Sequence, residues 1–115
     1  MKMSPQCDNL AVVHHDCQLL WSQFSKVLST LFHPKYGAEP SILAACIRIS
    51  SSEQNLEYLG SYCLKQINSD AGLRQSLPSV VCNALQAEHE LETIHIRLAG
   101  YVLKGCKNGR LPLTI

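Results

Sequence analysis

Cysteine and histidine are the most chemically versatile side chains in this sequence, because both bind metals and both act in nucleophilic catalysis. The chain has six cysteines and five histidines in 115 residues. Cys7, His14, Cys17 and His33 make up a set of four that zinc would bind tetrahedrally. No two cysteines, however, have the two-residue separation typical of zinc ribbons and redox motifs. We therefore expect no metal and no cofactor.

Two further groupings of residues have types suited to catalysis. A catalytic thiol needs a lowered pKa, which a strained turn or a helix start supplies, and neither occurs near Cys46, Cys63 or Cys82. Residues 88–95 carry three glutamates and two histidines, but the histidines are six residues apart, which is not the spacing of metalloprotease helices. We interpret residues 88–95 as a solvated helix face and predict that the protein is not an enzyme.

Apolar residues in alternating steps of three and four place most of these side chains on helices. The first such stripe consists of Leu10, Val13, Cys17, Leu20, Phe24, Val27 and Leu31. It predicts a helix that ends near Phe32, with Asp8 or Asn9 as its N-cap. Because the cysteines lie within apolar helical patterns, we expect most of them to be reduced core residues.

Similar patterns continue along the rest of the chain. Pro40 suits the first turn of a second helix that ends at the serine run 50–52, and Ser50 or Ser51 has the capping-box spacing for a third helix ending near Asn68. Residues 69–72 are typical of a loop.

The last third of the chain is predicted to hold two helices. Ser76 is the expected cap of the fourth helix. Around His89 the chain either bends or continues as a helix, and we favour a bend before a fifth helix that reaches Gly105. The expected fold class is therefore all-α, with about five helices in antiparallel hairpins and no strands. We expect one domain, 1–115, with flexible ends at 1–8 and 106–115.

Composition limits the classes of partner. Ten basic and nine acidic residues leave a net charge of +1, which creates no field to attract nucleic acid or an anionic membrane. No apolar run reaches the roughly 20 residues of a membrane span, and the N-terminal segment lacks a secretory signal, so we expect a cytoplasmic protein. With 17% charged residues and a mean hydropathy near zero, the protein is predicted to hide part of its surface in a complex.

A groove between the second and third helices is the predicted site for an amphipathic helix from another protein. Its expected lining residues are Ile42, Cys46, Ile49, Leu56, Leu59 and Cys63. Leu20 and Phe24 belong to a second seam, which either receives a co-chaperone or another copy of the chain, or is buried within the protein itself. An alternative function is nucleic-acid contact through the basic C-terminal end, which contains Arg97, Lys104, Lys107 and Arg110.

Three segments, LFHPKYG at 31–37, IRISS at 47–51 and the helical stretch from 77 to 98, carry a family resemblance. In that order they resemble the YscG family, the small tetratricopeptide-like chaperones of type III secretion needle subunits. The likeness covers about residues 31–98. It implies a tetratricopeptide-like stack and a cytosolic protein that wraps the amphipathic C-terminal helix of a needle subunit, together with a small helical co-chaperone.

Overall fold

Five helices with defined bounds form the protein in a computed structural model that describes residues 5–30, 39–77, 81–83, 86 and 90–108. They are α1 (Pro5–Thr30), α2 (Pro40–Ser50), α3 (Glu53–Asn68), α4 (Ala71–Ser76) and α5 (Leu91–Asn108). Residues 81–83 are also helical, and the described part of the chain contains no strand. The all-α prediction is confirmed.

Local hydrogen bonds explain where the middle helices begin. Ser52, and not Ser50 or Ser51, caps α3, because its side-chain oxygen accepts a hydrogen bond from the backbone N–H of Asn55 at 3.1 Å. Asp70 caps α4 in the same way, accepting from the N–H of Leu73 at 3.1 Å. The segment predicted as a loop therefore starts a short helix.

The ends of the helical region extend further than predicted. Helix α1 begins at Pro5, so the N-cap prediction for Asp8 or Asn9 is wrong, and residues 5–8 are helical. Helix α5 continues past Gly105, and Cys106 is fully buried, so a flexible tail does not start at residue 106.

The predicted break before the last helix has a counterpart in the structure. Glu90 is not helical and directly precedes α5. The predicted bend at His89 lies outside the described residues. Ser76 ends α4, so it does not cap a following helix.

The core lies where α1, α2, α3 and α5 meet, since each of these four helices contacts the other three. Helix α4 packs against α3. The buried residues form one cluster: Val13, Cys17, Leu20, Phe24, Ile42, Ala45, Cys46, Ile49, Leu59, Cys63, Ile67, Leu77, Val81, Leu98, Ala99, Val102, Leu103 and Cys106. These contacts establish a helical bundle, while the tetratricopeptide-like stacking order stays a prediction.

Gly60 permits a close crossing of α3 and α5. It is buried in α3, and a Cβ atom placed on it would overlap the backbone of His95 in α5, reaching 2.5 Å from the His95 Cα. Any larger residue would push the two helices apart. The approach of α5 to α3 therefore depends on this missing side chain.

Candidate functional site: an exposed apolar face and a polar cleft

The residues predicted to line a partner-binding groove are mostly interior. Seven of them are buried in the core: Ile42, Cys46, Ile49, Leu59, Cys63, Leu20 and Phe24. Leu56 is partly buried and packs against the same cluster. A partner cannot touch the seven while the four core helices stay packed, because α5 and α1 already cover the space between α2 and α3.

Apolar side chains that a partner can reach lie elsewhere on the same helices. Leu43 is 40% exposed and Ile47 is 70% exposed, and their four-residue separation places them one above the other on the outer side of α2. Leu10 and Val12 near the start of α1, and Leu91 at the start of α5, are also exposed. Leu43 and Ile47 thus form an exposed apolar strip on α2, and in the sequence they lie among the residues predicted to line the groove.

A partly buried ion pair links α1 to α2 next to this surface. The Arg48 guanidinium donates two hydrogen bonds to the Asp16 carboxylate, from Nε at 2.8 Å and from an Nη at 2.9 Å. Asp16 is 1% exposed, whereas the Arg48 side chain is 50% exposed. The hydrogen bond to Asp16 is the main cause of a raised pKa for Arg48. This pairing satisfies a carboxylate that could not otherwise be buried at low cost.

The role of Asp16 is not evident from the sequence, because a charged residue on a helix is expected on its solvated side. A signal was present, because Asp16 precedes Cys17 and lies three residues after Val13 and four before Leu20, inside the apolar stripe. Its partner is 32 residues away in the chain, and no local pattern connects the two.

The thiols of the core are poor nucleophiles. Cys17, Cys46, Cys63 and Cys106 are free and buried. Burial raises the pKa of Cys17 and of Cys106 to about 12, and it also raises the pKa of the other two. A thiol that stays protonated neither attacks an electrophile nor binds a metal readily. Cys82 is free and half-buried.

A polar cleft lies between α1 and α3. Its volume is about 270 Å³, and its lining residues are His14, Tyr58, Ser61, Tyr62, Lys65 and Gln66. The Nδ1 atom of His14 and the hydroxyl of Tyr58 are 3.0 Å apart and form a hydrogen bond. The His14 ring stands nearly perpendicular to the rings of Tyr58 and Tyr62, with centroid distances of 6.1 Å and 5.5 Å.

The two predicted zinc ligands whose side chains the structure describes, His14 and Cys17, do not lie together. His14 is exposed and faces the cleft, whereas Cys17 is buried in the core. Cys7 and His33 lie outside the described side chains. Among the residues that the structure describes, no three histidine, cysteine or acidic side chains are grouped as metal ligands.

The predicted solvated face at 88–95 is only partly solvated. Glu90 and Glu92 are exposed. His95 is half-buried, and its Nδ1 atom is buried without a hydrogen-bond partner in the described structure. This prediction is therefore wrong for His95, whose backbone is held against Gly60. Glu88 and His89 lie outside the described residues.

The basic residues of the alternative function share one side of α5. Arg97, Lys104 and Lys107 are exposed, and their spacings of seven and three place them along one helix face. Arg110 lies outside the described residues.

Together the fold and these features define a small all-α bundle with an exposed apolar strip on α2, a polar cleft and a basic face on α5. Comparison of the chain with models of protein families, with curated proteins and with solved structures finds no match. In the described residues, no helix combines the length and the apolar character that crossing a bilayer requires.

Proposed function

We propose that this protein is a non-enzymatic helical chaperone or adaptor that binds an amphipathic helix of a partner protein. The observation that carries the proposal is the exposed pair Leu43 and Ile47 on the outer side of α2. An amphipathic helix presents apolar side chains at the same spacing of three and four residues, so it can pack along this strip.

The ion pair beside the strip supports a role in binding. Arg48 adjoins Ile47 in the sequence, and its contact with Asp16 fixes α2 against α1. A surface held on a rigid helix loses little conformational entropy when a partner binds. We therefore propose that the partner binds to the outer face of α2 and not to the groove predicted between α2 and α3.

For the identity of the partner we keep the prediction drawn from the resemblance to the YscG family. The expected partner is the C-terminal helix of a type III secretion needle subunit, with a small co-chaperone or a second copy of this chain in the complex. A subunit that polymerises through an exposed amphipathic helix has to be covered before export, and an apolar strip on a small bundle is suited to that task. The expected compartment is the cytoplasm.

The test is co-expression of the chain with the needle subunit and co-chaperone of the same host, followed by size-exclusion chromatography. We expect the wild-type protein to elute in a complex. Ile47→Glu should weaken that complex about 10- to 150-fold, because burying one such side chain is worth about 1.5–3 kcal/mol. Ser41→Glu places the same charge on an exposed position of α2 away from the strip and should leave the complex intact.

Two results contradict the proposal separately. If the wild-type protein elutes apart from the needle subunit, the needle subunit is not its partner. If the complex still forms with Ile47→Glu and with Leu43→Glu, the strip on α2 is not the binding surface.

A second candidate function is nucleic-acid binding, favoured by the single face that Arg97, Lys104 and Lys107 share. Three phosphate contacts predict that affinity for a labelled duplex falls about 40-fold between about 50 mM and 200 mM salt. Fluorescence anisotropy at the two salt concentrations measures this. An affinity that does not change with salt, or no binding at low salt, contradicts this candidate.

A further inference from the structure

The cleft between α1 and α3 has the size of a small-ligand site. Its volume of about 270 Å³ exceeds the roughly 150 Å³ that is enough to hold a benzene molecule in a protein interior. The cleft therefore has room for one aromatic ring and a small substituent. None of its lining residues belongs to the apolar strip on α2.

The aromatic residues of the cleft are held in place before any ligand arrives. The hydrogen bond between His14 and Tyr58 fixes both rings, and the perpendicular contact at 5.5 Å fixes Tyr62 relative to His14. Aromatic side chains favour perpendicular or offset contacts with another ring. The walls of the cleft can thus pack against a planar ring without rearranging.

The described lining of the cleft carries a positive charge. It includes the lysine Lys65, and no carboxylate is found among the lining residues that the structure describes. Among the described residues, Lys65 forms no ion pair and the Ser61 hydroxyl forms no hydrogen bond. Both groups are donors, and they lie four residues apart on α3, so they project from the same face.

We propose that this cleft binds a small aromatic anion, whose ring packs against His14 and Tyr62 and whose carboxylate or phosphate accepts hydrogen bonds from Lys65 and Ser61. The charged group of such a ligand meets a cation that has no other partner in the described structure. Charge-assisted hydrogen bonds of this type are stronger than neutral ones. A neutral ring compound of the same size lacks that contribution.

Amide NMR titration of the full chain, in a buffer without phosphate, tests the proposal with benzoate, phenyl phosphate and benzyl alcohol as probes. We expect at least one of the two anions to shift the signals of His14, Tyr58 and Tyr62 with a dissociation constant on the order of 1 mM. Benzyl alcohol should bind about tenfold more weakly. Lys65→Met should weaken binding of the anion about tenfold.

The matched control is Lys104→Met, which removes an exposed lysine on α5 that does not line the cleft. It should leave the affinity unchanged. The proposal is overturned if neither anion shifts these signals at about 20 mM, if benzyl alcohol binds as tightly as the anions, or if Lys65→Met binds like the wild-type protein. Since Lys65 is exposed, its substitution does not threaten the fold.

Discussion

Replacing Gly60 by alanine is a direct test of the packing of α3 against α5. The new methyl group would overlap the backbone of His95, with its carbon 2.5 Å from the His95 Cα. Ordinary contacts of a Cβ atom begin at 3.4 Å, and the His95 carbonyl lies closer still than its Cα, so the helices must separate by at least about 1 Å. Backbone atoms cannot move aside by changing rotamer, so the whole crossing has to adjust.

The size of the effect follows from the residues at this crossing. A gap of about 1 Å forfeits up to half of the dispersion attraction across an interface, and overpacking of a core costs about 1–3 kcal/mol or more. Buried residues of both helices, including Leu59 and Cys63 in α3 and Leu98 and Val102 in α5, belong to the shared core. Alanine recovers about 1 kcal/mol through its higher helix propensity. Because the overlap is with backbone, the cost lies at the upper end of this range, and we expect Gly60→Ala to lower the free energy of unfolding by about 2 kcal/mol or more.

Gly100→Ala is the matched control, because it makes the same change in the middle of a helix where a Cβ atom meets nothing within 4 Å. It should raise the free energy of unfolding by about 0.5–1 kcal/mol. Urea denaturation followed by circular dichroism measures both values. If Gly60→Ala is as stable as the wild type while Gly100→Ala gains stability, the close contact of α3 with His95 is wrong.

Two further predictions concern buried polar and titratable groups. Arg48→Met should lower the free energy of unfolding by about 2–3 kcal/mol, because it leaves the Asp16 carboxylate buried and unpaired. The double substitution with Asp16→Leu should recover most of this loss, and simple additivity in the denaturation cycle would contradict the pairing. Peptide-level mass spectrometry of the native protein should find Cys17 and Cys106 unalkylated where Cys82 is labelled. The folded state keeps these two thiols protonated to about pH 12 from a usual 9.0. Stability should therefore fall as the pH rises through this range, by up to about 1.4 kcal/mol per pH unit for each thiol, and a flat alkaline profile would contradict their burial.

The longer helices could be predicted because the apolar spacing that specifies each of them lies within its own segment, whereas the short helix α4 was not predicted. Steps of three and four residues located Val13, Cys17, Leu20 and Phe24 on the buried side of α1, where the structure has them. Caps were harder, since Ser50, Ser51 and Ser52 are equally able to cap and the choice depends on where α2 ends.

A binding site is harder to predict than a helix because it depends on how helices meet. Apolar periodicity shows that a side chain avoids water, and it does not distinguish a core position from a binding groove. The groove predicted around Cys46 and Cys63 is closed by α5, which comes close only because Gly60 has no side chain. Nothing in the pattern around Gly60 indicates which helix will cross there.

Because most of the predicted groove residues are buried in the core, a binding surface has to consist of other, exposed side chains. A helix-binding protein that kept an open groove between α2 and α3 would leave Ile49 and Leu59 exposed, but both are fully buried. The core does not require an apolar side chain at Ile47, which is exposed. Its apolar character beside Leu43 is therefore consistent with a binding role. If the strip on α2 served only the fold, Ile47→Glu would change stability and not association. Since Ile47 is 70% exposed, the expected stability change is small. Measuring both quantities on this one variant therefore separates a binding role from a structural one.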